Sequence, residues 1–472
     1  MIPSRVFRIL KQVKVLALMA IAAGASPVGA APPAPVPAAA SAKPWICPQL
    51  DHADAYTNEG YRFIRQGKGE WLFRTGTDLT LMAPLSAANI DNFARLRKRL
   101  ADSGTRLVIS VSPPRGAIMR QFIDPIGLRG EPFSADAAMS TYFTMVKRLR
   151  GVGIMAPDTI LAANNPAFTL EGTPREFYLS GDLHWTAYGA FVTAKALKQE
   201  MAKNPEFASL PPGQFATSLV APKLTVQTIR EEAYKICKVP YNGEMRVFYD
   251  TVAEAADDAG GLLGDGGLLD DAGVEVALVG TSFSVVEYAN FSGFLRQELG
   301  TEVANYGIAG GGLSASILSY MLSEDYAQAK PKFLIWEMQY HNLKEVDALP
   351  LIMGAADGDC GAKALIAGKE TPVKLGQTTA FTVRSGDRHR IKGPANAVLD
   401  FGDSDARRYH LYLTYTDGTK ARFDVDATRW SHPANKIIVR VPRDGADLAS
   451  ISLVPDQRLS GNVSARICRA SL

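Results

Sequence analysis

The chain has 472 residues, 47% hydrophobic and 21% charged, with a formal net charge of +3. At about 100–200 residues per domain, that length accommodates two or three domains with apolar material for a core. These figures exclude a wholly disordered chain, a collagen-like repeat and a polytopic membrane protein.

One apolar run is worth testing as a membrane segment, and it is N-terminal. Arg5, Arg8, Lys11 and Lys14 precede the run VLALMAIAAGA (15–25), and Val28 and Ala30 stand at the −3 and −1 positions for cleavage after Ala30. The run is too short to span a bilayer, so residues 1–30 are predicted to be a secretory signal peptide and the mature chain a soluble periplasmic protein. No Cys follows the run, which argues against a lipoprotein. Residues 31–45 then form a Pro/Ala-rich tether.

From residue 361 onward 18 Lys+Arg stand against 11 Asp+Glu, a net of +7, which leaves −8 on residues 31–360. A basic terminal module on an acidic body points to a polyanionic partner, or to scattered surface cations. The four cysteines, Cys47, Cys237, Cys360 and Cys468, form no C-x-x-C pair and lack zinc-site spacing. In an oxidising compartment an even count favours two disulfides. Of the three pairings, Cys47–Cys237 with Cys360–Cys468 keeps each bridge inside one plausible domain.

In chain order, residues 89–104 place Ile90, Phe93, Leu96 and Leu100 on one helical face. Residues 105–113 read as a buried strand stopped by Pro113 and Pro114, 136–150 as a helix, and Thr186 as the start of another. Residues 251–273, rich in Gly, Asp and Ala, read as an exposed loop without calcium-loop spacing. Strand 274–280, a loop opening into a helix over 281–300, strand 302–307, helix 314–324 and strand 333–338 follow. Repeated β–α–β connections imply a mostly parallel sheet covered by helices. From about residue 370 the runs become short and alternating, and Asp417-Gly418 marks a two-residue hairpin; this is an all-β sandwich.

The chain has only six histidines. His184 lies just before a helix with Asp182 two residues upstream. In an extended segment the carboxylate braces the imidazole and leaves its other nitrogen free as a base. An Asp helix cap beside a structural His fits the same residues. Ser282 follows a buried strand and Gly280 and precedes a helix, a strand-to-helix elbow that exposes a hydroxyl near helix-terminal N–H groups. A turn with a helix cap also fits, and Thr281 and Ser284 are its neighbours. Among the other histidines, His52, His389 and His432 read as surface or loop residues and His341 as a strand-end residue at a site rim. In the β-rich tail, residues 407–415 put Arg408, His410 and Tyr412 on one strand face, suited to a polyanionic partner, with Lys420 beyond the turn. A half-exposed strand with packed aromatics is the plainer reading.

In combination, the Asp-x-His-Trp motif (182–185), the Gly-Thr-Ser elbow (280–282), WLF (71–73), VSPPRG (111–116), NYGIAGGG (305–312) and IWEMQYHN (335–342) resemble the alginate O-acetyltransferases of the AlgX and AlgJ type. These are SGNH-hydrolase-like proteins. The β-rich tail and second cysteine pair favour the AlgX branch, whose members add a carbohydrate-binding module. The resemblance implies an α/β SGNH-hydrolase-like acetyltransferase domain over 46–350 and a carbohydrate-binding β-sandwich module over 360–472. It further implies Ser282 as nucleophile, His184 as general base and Asp182 as its orienting partner. Tyr288 and Tyr340 stand at positions resembling active-site tyrosines, and Arg115 is a candidate substrate contact. The Ser282 amide and a donor from Gly310–Gly312 are candidates for the oxyanion site.

The implied chemistry is transfer of acetyl, through an acetyl-serine, to mannuronate hydroxyls of alginate during its biosynthesis and export, without metal or cofactor. Implied partners are the alginate polymer, an acetyl donor supplied by other acetylation proteins, and a tetratricopeptide-repeat lipoprotein of the export complex. Nucleic acid is not among them. Two departures from ordinary SGNH hydrolases fit the acetyltransferase branch: an Asp–His spacing of two rather than three, and a Ser block that follows the Asp/His block. The rival readings are a secreted carbohydrate esterase using the same three residues and a non-catalytic polymer-binding scaffold.

Overall fold

The computed structural model describes residues 46–82, 85–125, 133–254, 274–456 and 461–471. The expected signal peptide, the whole of the tether and residues 255–273 of the Gly/Asp-rich loop lie outside the described residues. Among the described residues no helix is long and apolar enough to cross a membrane.

The first part of the chain carries a short antiparallel pair, β1 (Ile64–Gln66) and β2 (Leu72–Arg74), then β3 (Arg106–Ser112). A long hairpin follows, β4 (Phe215–Thr225) with β5 (Glu244–Ala253). Next come β6 (Val276–Val279), β7 (Ala304–Asn305) and β8 (Phe333–Gln339). Strands β3, β8, β6 and β7, in that spatial order, form one all-parallel sheet.

Strand alternation explains the layers. Leu107, Ile109, Val111, Val279, Leu334 and Trp336 share a core with Phe93, Leu96 and Leu100 of helix Ala87–Asp102 and with Tyr142 and Val146 of helix Ala135–Gly151. The intervening Val108, Val276, Leu278, Phe333 and Ile335 face the other way, onto helices Ala187–Met201 and Phe291–Leu299. Helix Ala87–Asp102 begins where Ser86 Oγ accepts the Asn89 N–H at 3.2 Å, two residues ahead of the periodicity-based start.

The second part consists of two antiparallel sheets. The first holds β9 (Ile366–Ala367), β10 (Thr371–Pro372), β12 (Ala395–Asp400), β15 (Lys436–Arg440) and β17 (Asn462–Arg469). The other holds β11 (Thr378–Thr382), β13 (Arg408–Tyr415), β14 (Lys420–Asp426) and β16 (Leu448–Pro455). The Asp417-Gly418 hairpin exists but is longer than two residues. Tyr415 N–H donates to Thr419 O at 2.9 Å, leaving Thr416–Gly418 as the loop with Gly418 at φ 84°.

Two disulfides are present, Cys47–Cys237 and Cys360–Cys468. Helix Leu349–Asp357 packs against both helix Ala87–Asp102 and β15, so the segment between the two expected domains is a packed helix and not a linker. The α/β core continues without a break into the sandwich core.

Candidate active site

In an open parallel sheet, side chains that act on ligands gather at the carboxyl ends of the strands. Here β3 ends at Ser112 before Pro113-Pro114, β8 ends at Gln339, and β6 runs through Val279 and Gly280 into the tight turn Ser282–Ser284. Asp182, His184 and Ser282 form a hydrogen-bonded line at this edge. The His184 Nδ1–H donates to Asp182 Oδ1 at 2.6 Å, and Ser282 Oγ lies 2.8 Å from His184 Nε2. Ser282 is part-exposed, whereas Asp182 is 1% exposed.

The local reason for the Asp–His pairing differs from the strand alternation expected. Residues 181–184 bend, and Asp182 Oδ1 also accepts the His184 backbone N–H at 2.8 Å, an Asx turn that brings the imidazole back over its own carboxylate. Asp182 Oδ2 accepts the N–H of Thr228 at 2.6 Å, at the start of helix Thr228–Cys237. Burial pushes the Asp182 carboxyl up, but the His184 hydrogen bond and charge and these two backbone N–H groups outweigh it and hold it at about 2. Trp185 completes the motif: its indole N–H donates to Phe283 O at 3.1 Å and ties the Asp/His segment to the serine turn.

That turn is anchored by residues the sequence reading did not weigh. Glu337 of β8, fully buried, accepts from Thr281 N–H at 2.8 Å, Thr281 Oγ–H at 2.9 Å and Ser284 Oγ–H at 3.1 Å. Asn305 Nδ2–H donates to Ser284 O at 2.7 Å. The signal for Glu337 was one acid inside the apolar run FLIWEM of the strand. The Ser282 N–H, at the first position of its turn, has no hydrogen-bond partner among the described residues. The Gly310–Gly312 segment meets the β-sandwich, where Arg429 donates to Ala309 O at 3.2 Å.

The other expected site residues divide. Tyr288 stands edge-on to the His184 ring, centroids 6.5 Å apart, and burial together with the Asp182 charge pushes its phenol well up. Tyr340 is 4% exposed and its hydroxyl accepts the Met82 N–H at 3.3 Å. Arg115 corrects the expectation of a substrate contact. It is 4% exposed, donates to the carbonyls of Leu72 (2.6 Å), Leu179 (2.6 Å) and Ser180 (3.0 Å), and lies over the rings of Trp71 and Phe73. Its guanidinium is an internal strut that fixes the segment leading into Asp182.

On the sandwich, Arg408, His410 and Tyr412 do share the exposed face of β13. The first two already have acidic partners: Arg408 pairs with Asp426 at 3.0 Å, and His410 lies 2.7 Å from Asp424 and 3.4 Å from Asp456. Asp359, Cys360 and Cys468 are the only cluster with metal-ligand proximity among the described residues, and its two sulfurs are bonded to each other.

A family model described as "SGNH hydrolase-like domain, acetyltransferase AlgX" matches residues 64–340, more than half of the chain. The chain belongs to the AlgX family. Similar proteins include the alginate biosynthesis protein AlgX of Pseudomonas aeruginosa, 29% identical over 99% of this chain and 97% of that protein. The probable alginate O-acetylase AlgJ of Pseudomonas syringae pv. tomato is 28% identical over 59% of this chain and 69% of its own length. The solved structure of Pseudomonas aeruginosa AlgX superposes with a TM-score of 0.72 at 26% identity, covering 90% of this chain and 100% of that one. The matched AlgX-family domain contains Asp182, His184, Ser282, Tyr288 and Tyr340, and leaves the β13 face outside it.

Proposed function

We propose that the protein is a periplasmic polysaccharide O-acetyltransferase that acetylates mannuronate hydroxyls of alginate through an acetyl-serine at Ser282. The observation that carries the reading is the unbroken line Asp182–His184–Ser282, with an amide at Ser282 that has no partner among the described residues. AlgX-family membership and the printed roles of its AlgX and AlgJ relatives support the substrate class. Export rests on the signal-like residues 1–30, and the lipoprotein partner and the donor-supplying proteins rest on resemblance alone.

In the first step His184 Nε2 takes the Ser282 proton as Oγ attacks the acetyl carbonyl, and the Ser282 N–H faces the developing oxyanion. The proton passes from His184 to the departing donor group, leaving acetyl-Ser282. A mannuronate hydroxyl then gives its proton to His184 and attacks the acetyl carbon, and the proton returns to Ser282 Oγ. Asp182 holds the imidazole in the tautomer with Nδ1 protonated and stabilises the transient imidazolium.

Two cavities leave room for a chain of sugars. One of about 660 Å³ lies between the β4–β5 hairpin and residues 284–292, the other of about 1060 Å³ between residues 305–309 and the sandwich residues Arg429–Asn435. Asn305 borders both and bonds the Ser284 carbonyl, so a polymer following the two passes the serine turn. The sandwich is read as a carbohydrate-binding module, with Tyr412 as the exposed-face aromatic of β13 for a sugar ring.

The test is incubation with polymannuronate oligomers and a surrogate acetyl ester, following oligomer mass beside a Ser282→Ala control. Acetylated oligomers from the wild type alone are expected, with the variant lower by at least about a thousandfold. Free acetate with unmodified sugar turns the reading to an esterase; polymer binding without turnover turns it to a scaffold.

A further inference from the structure

A buried carboxylate is costly unless it is paired or well hydrogen-bonded. Glu337 is 0% exposed, and among the described residues no charged side chain enters its electrostatic balance. Its stabilisation comes from one place. The Thr281 N–H, Thr281 hydroxyl and Ser284 hydroxyl converge on Oε2, and these two residues bracket Ser282. Thr281 Oγ1 in turn accepts from Phe283 N–H at 3.3 Å and from Gln339 Nε2–H at 3.4 Å, which aims its own hydrogen at Glu337. A Cβ at position 280 would stand 2.7 Å from Glu337 Oε2, so the elbow needs a glycine for the carboxylate to reach the turn. Ser282 itself is left out of the anchoring, its hydroxyl on His184 and its amide without a partner among the described residues.

We infer that Glu337 is a positioning residue of the serine turn, gripping Thr281 and Ser284 so that Ser282 Oγ stays on His184 Nε2 and the Ser282 amide stays open to an oxyanion. The inference rests on the reading of Ser282 as nucleophile and deepens it. The anionic form of Glu337 suits a grip made of three donors, because hydrogen bonds to a charged acceptor are the stronger ones. Burial lifts this carboxyl to about 7 against those same bonds, so the grip weakens by protonation just below neutral pH. Its titratable surroundings are few. Tyr178 feels the Glu337 charge, but its phenol is pushed well up by burial and donates to Pro113 O at 2.6 Å. Ser110 stands opposite Glu337 on β3. Across the serine turn are His184 and Asp182, the latter held at about 2.

The experiment measures labelling of Ser282 by an aryl sulfonyl fluoride in the full chain from about pH 5 to about pH 9 by peptide mass. Ser282 Oγ attacks sulfur, its proton passes to His184 and fluoride leaves, so the readout needs neither the acetyl donor nor the polymer. Glu337→Gln is expected to label about 10- to 100-fold more slowly, with a shallower acid limb because one ionisation is gone. Ser284→Ala keeps Glu337 but removes one donor from its anion, and is expected to move the acid limb to higher pH. Should Glu337→Gln fail to fold, Ser284→Ala decides alone. A wild type unlabelled at Ser282 overturns the nucleophile reading. A labelled wild type with rates and acid limbs matched by the folded variants overturns the role of Glu337.

Discussion

Two buried carboxyls at this site are tuned in opposite directions, and each predicts its own pH dependence. Asp182 is held at about 2, below the ordinary 3.8, so its contribution to stability is present above 3.8 and is lost as pH falls through about 2. Glu337 is raised from 4.5 to about 7, so its contribution is present below 4.5 and is lost as pH rises through about 7. Urea melts at acid and mildly alkaline pH should show wild type losing about 3 kcal/mol more than Glu337→Gln across that window. Equal losses would place the titration elsewhere. Asp182→Asn keeps the shape but gives up the carboxylate that selects the Nδ1–H tautomer, so acetyl transfer should fall about 10³- to 10⁴-fold, and the urea melts should lose the stability that the ionised carboxyl supplies above 3.8. Of these residues, Asp182, His184 and Ser282 are legible in the sequence because so few histidines compete and each motif lies beside a predicted helix. Glu337 is not, since its role depends on the register that sets β8 beside β6. Arg115 is misread for the same reason: the carbonyls that consume its guanidinium come from residues 72, 179 and 180.

At the scale of elements, the Asp182 carboxylate depends on the N-terminus of helix Thr228–Cys237, and that helix ends at the Cys47–Cys237 bridge. Replacing both cysteines by serine should cost about 2–5 kcal/mol in urea melts. It should also slow Ser282 labelling, because the amide that holds Asp182 is then less well fixed. Unchanged labelling would detach the bridge from the site. Helices Ala87–Asp102 and Ala135–Gly151 are readable because one face of each is buried and a serine caps each start. The β4–β5 hairpin is not readable: β4 has no fully buried residue, so there is no alternation to find. Strand 302–307 shrinks to Ala304–Asn305, although the Tyr306 N–H still donates to Leu278 O at 2.8 Å and the Ile308 N–H to Gly280 O at 2.9 Å.

For the whole molecule, part of the charge split seen in composition is spent inside the fold. Arg440 and Arg466 pair with Asp357 and Asp359, which precede residue 361, so the +7 of the terminal module overstates the charge it offers a polyanion. Asp357, with a 6% exposed side chain, accepts from Arg99, Asn396 and Arg440 and thereby joins the α/β helices to the sandwich. Asp357→Ala leaves those groups facing a gap and should cost about 3–5 kcal/mol by calorimetry. The shared core predicts one transition for the wild type; two would show that the halves unfold separately. The central claim, acyl transfer through Ser282, is tested most directly by trapping. The protein is mixed with an acetyl ester without acceptor, quenched, and the Ser282 peptide weighed. The account predicts one acetyl group on that peptide, absent from Ser282→Ala and discharged onto polymannuronate oligomers when they are added. Acetylated oligomers formed while Ser282 never carries acetyl, or by the Ser282→Ala variant, would contradict it.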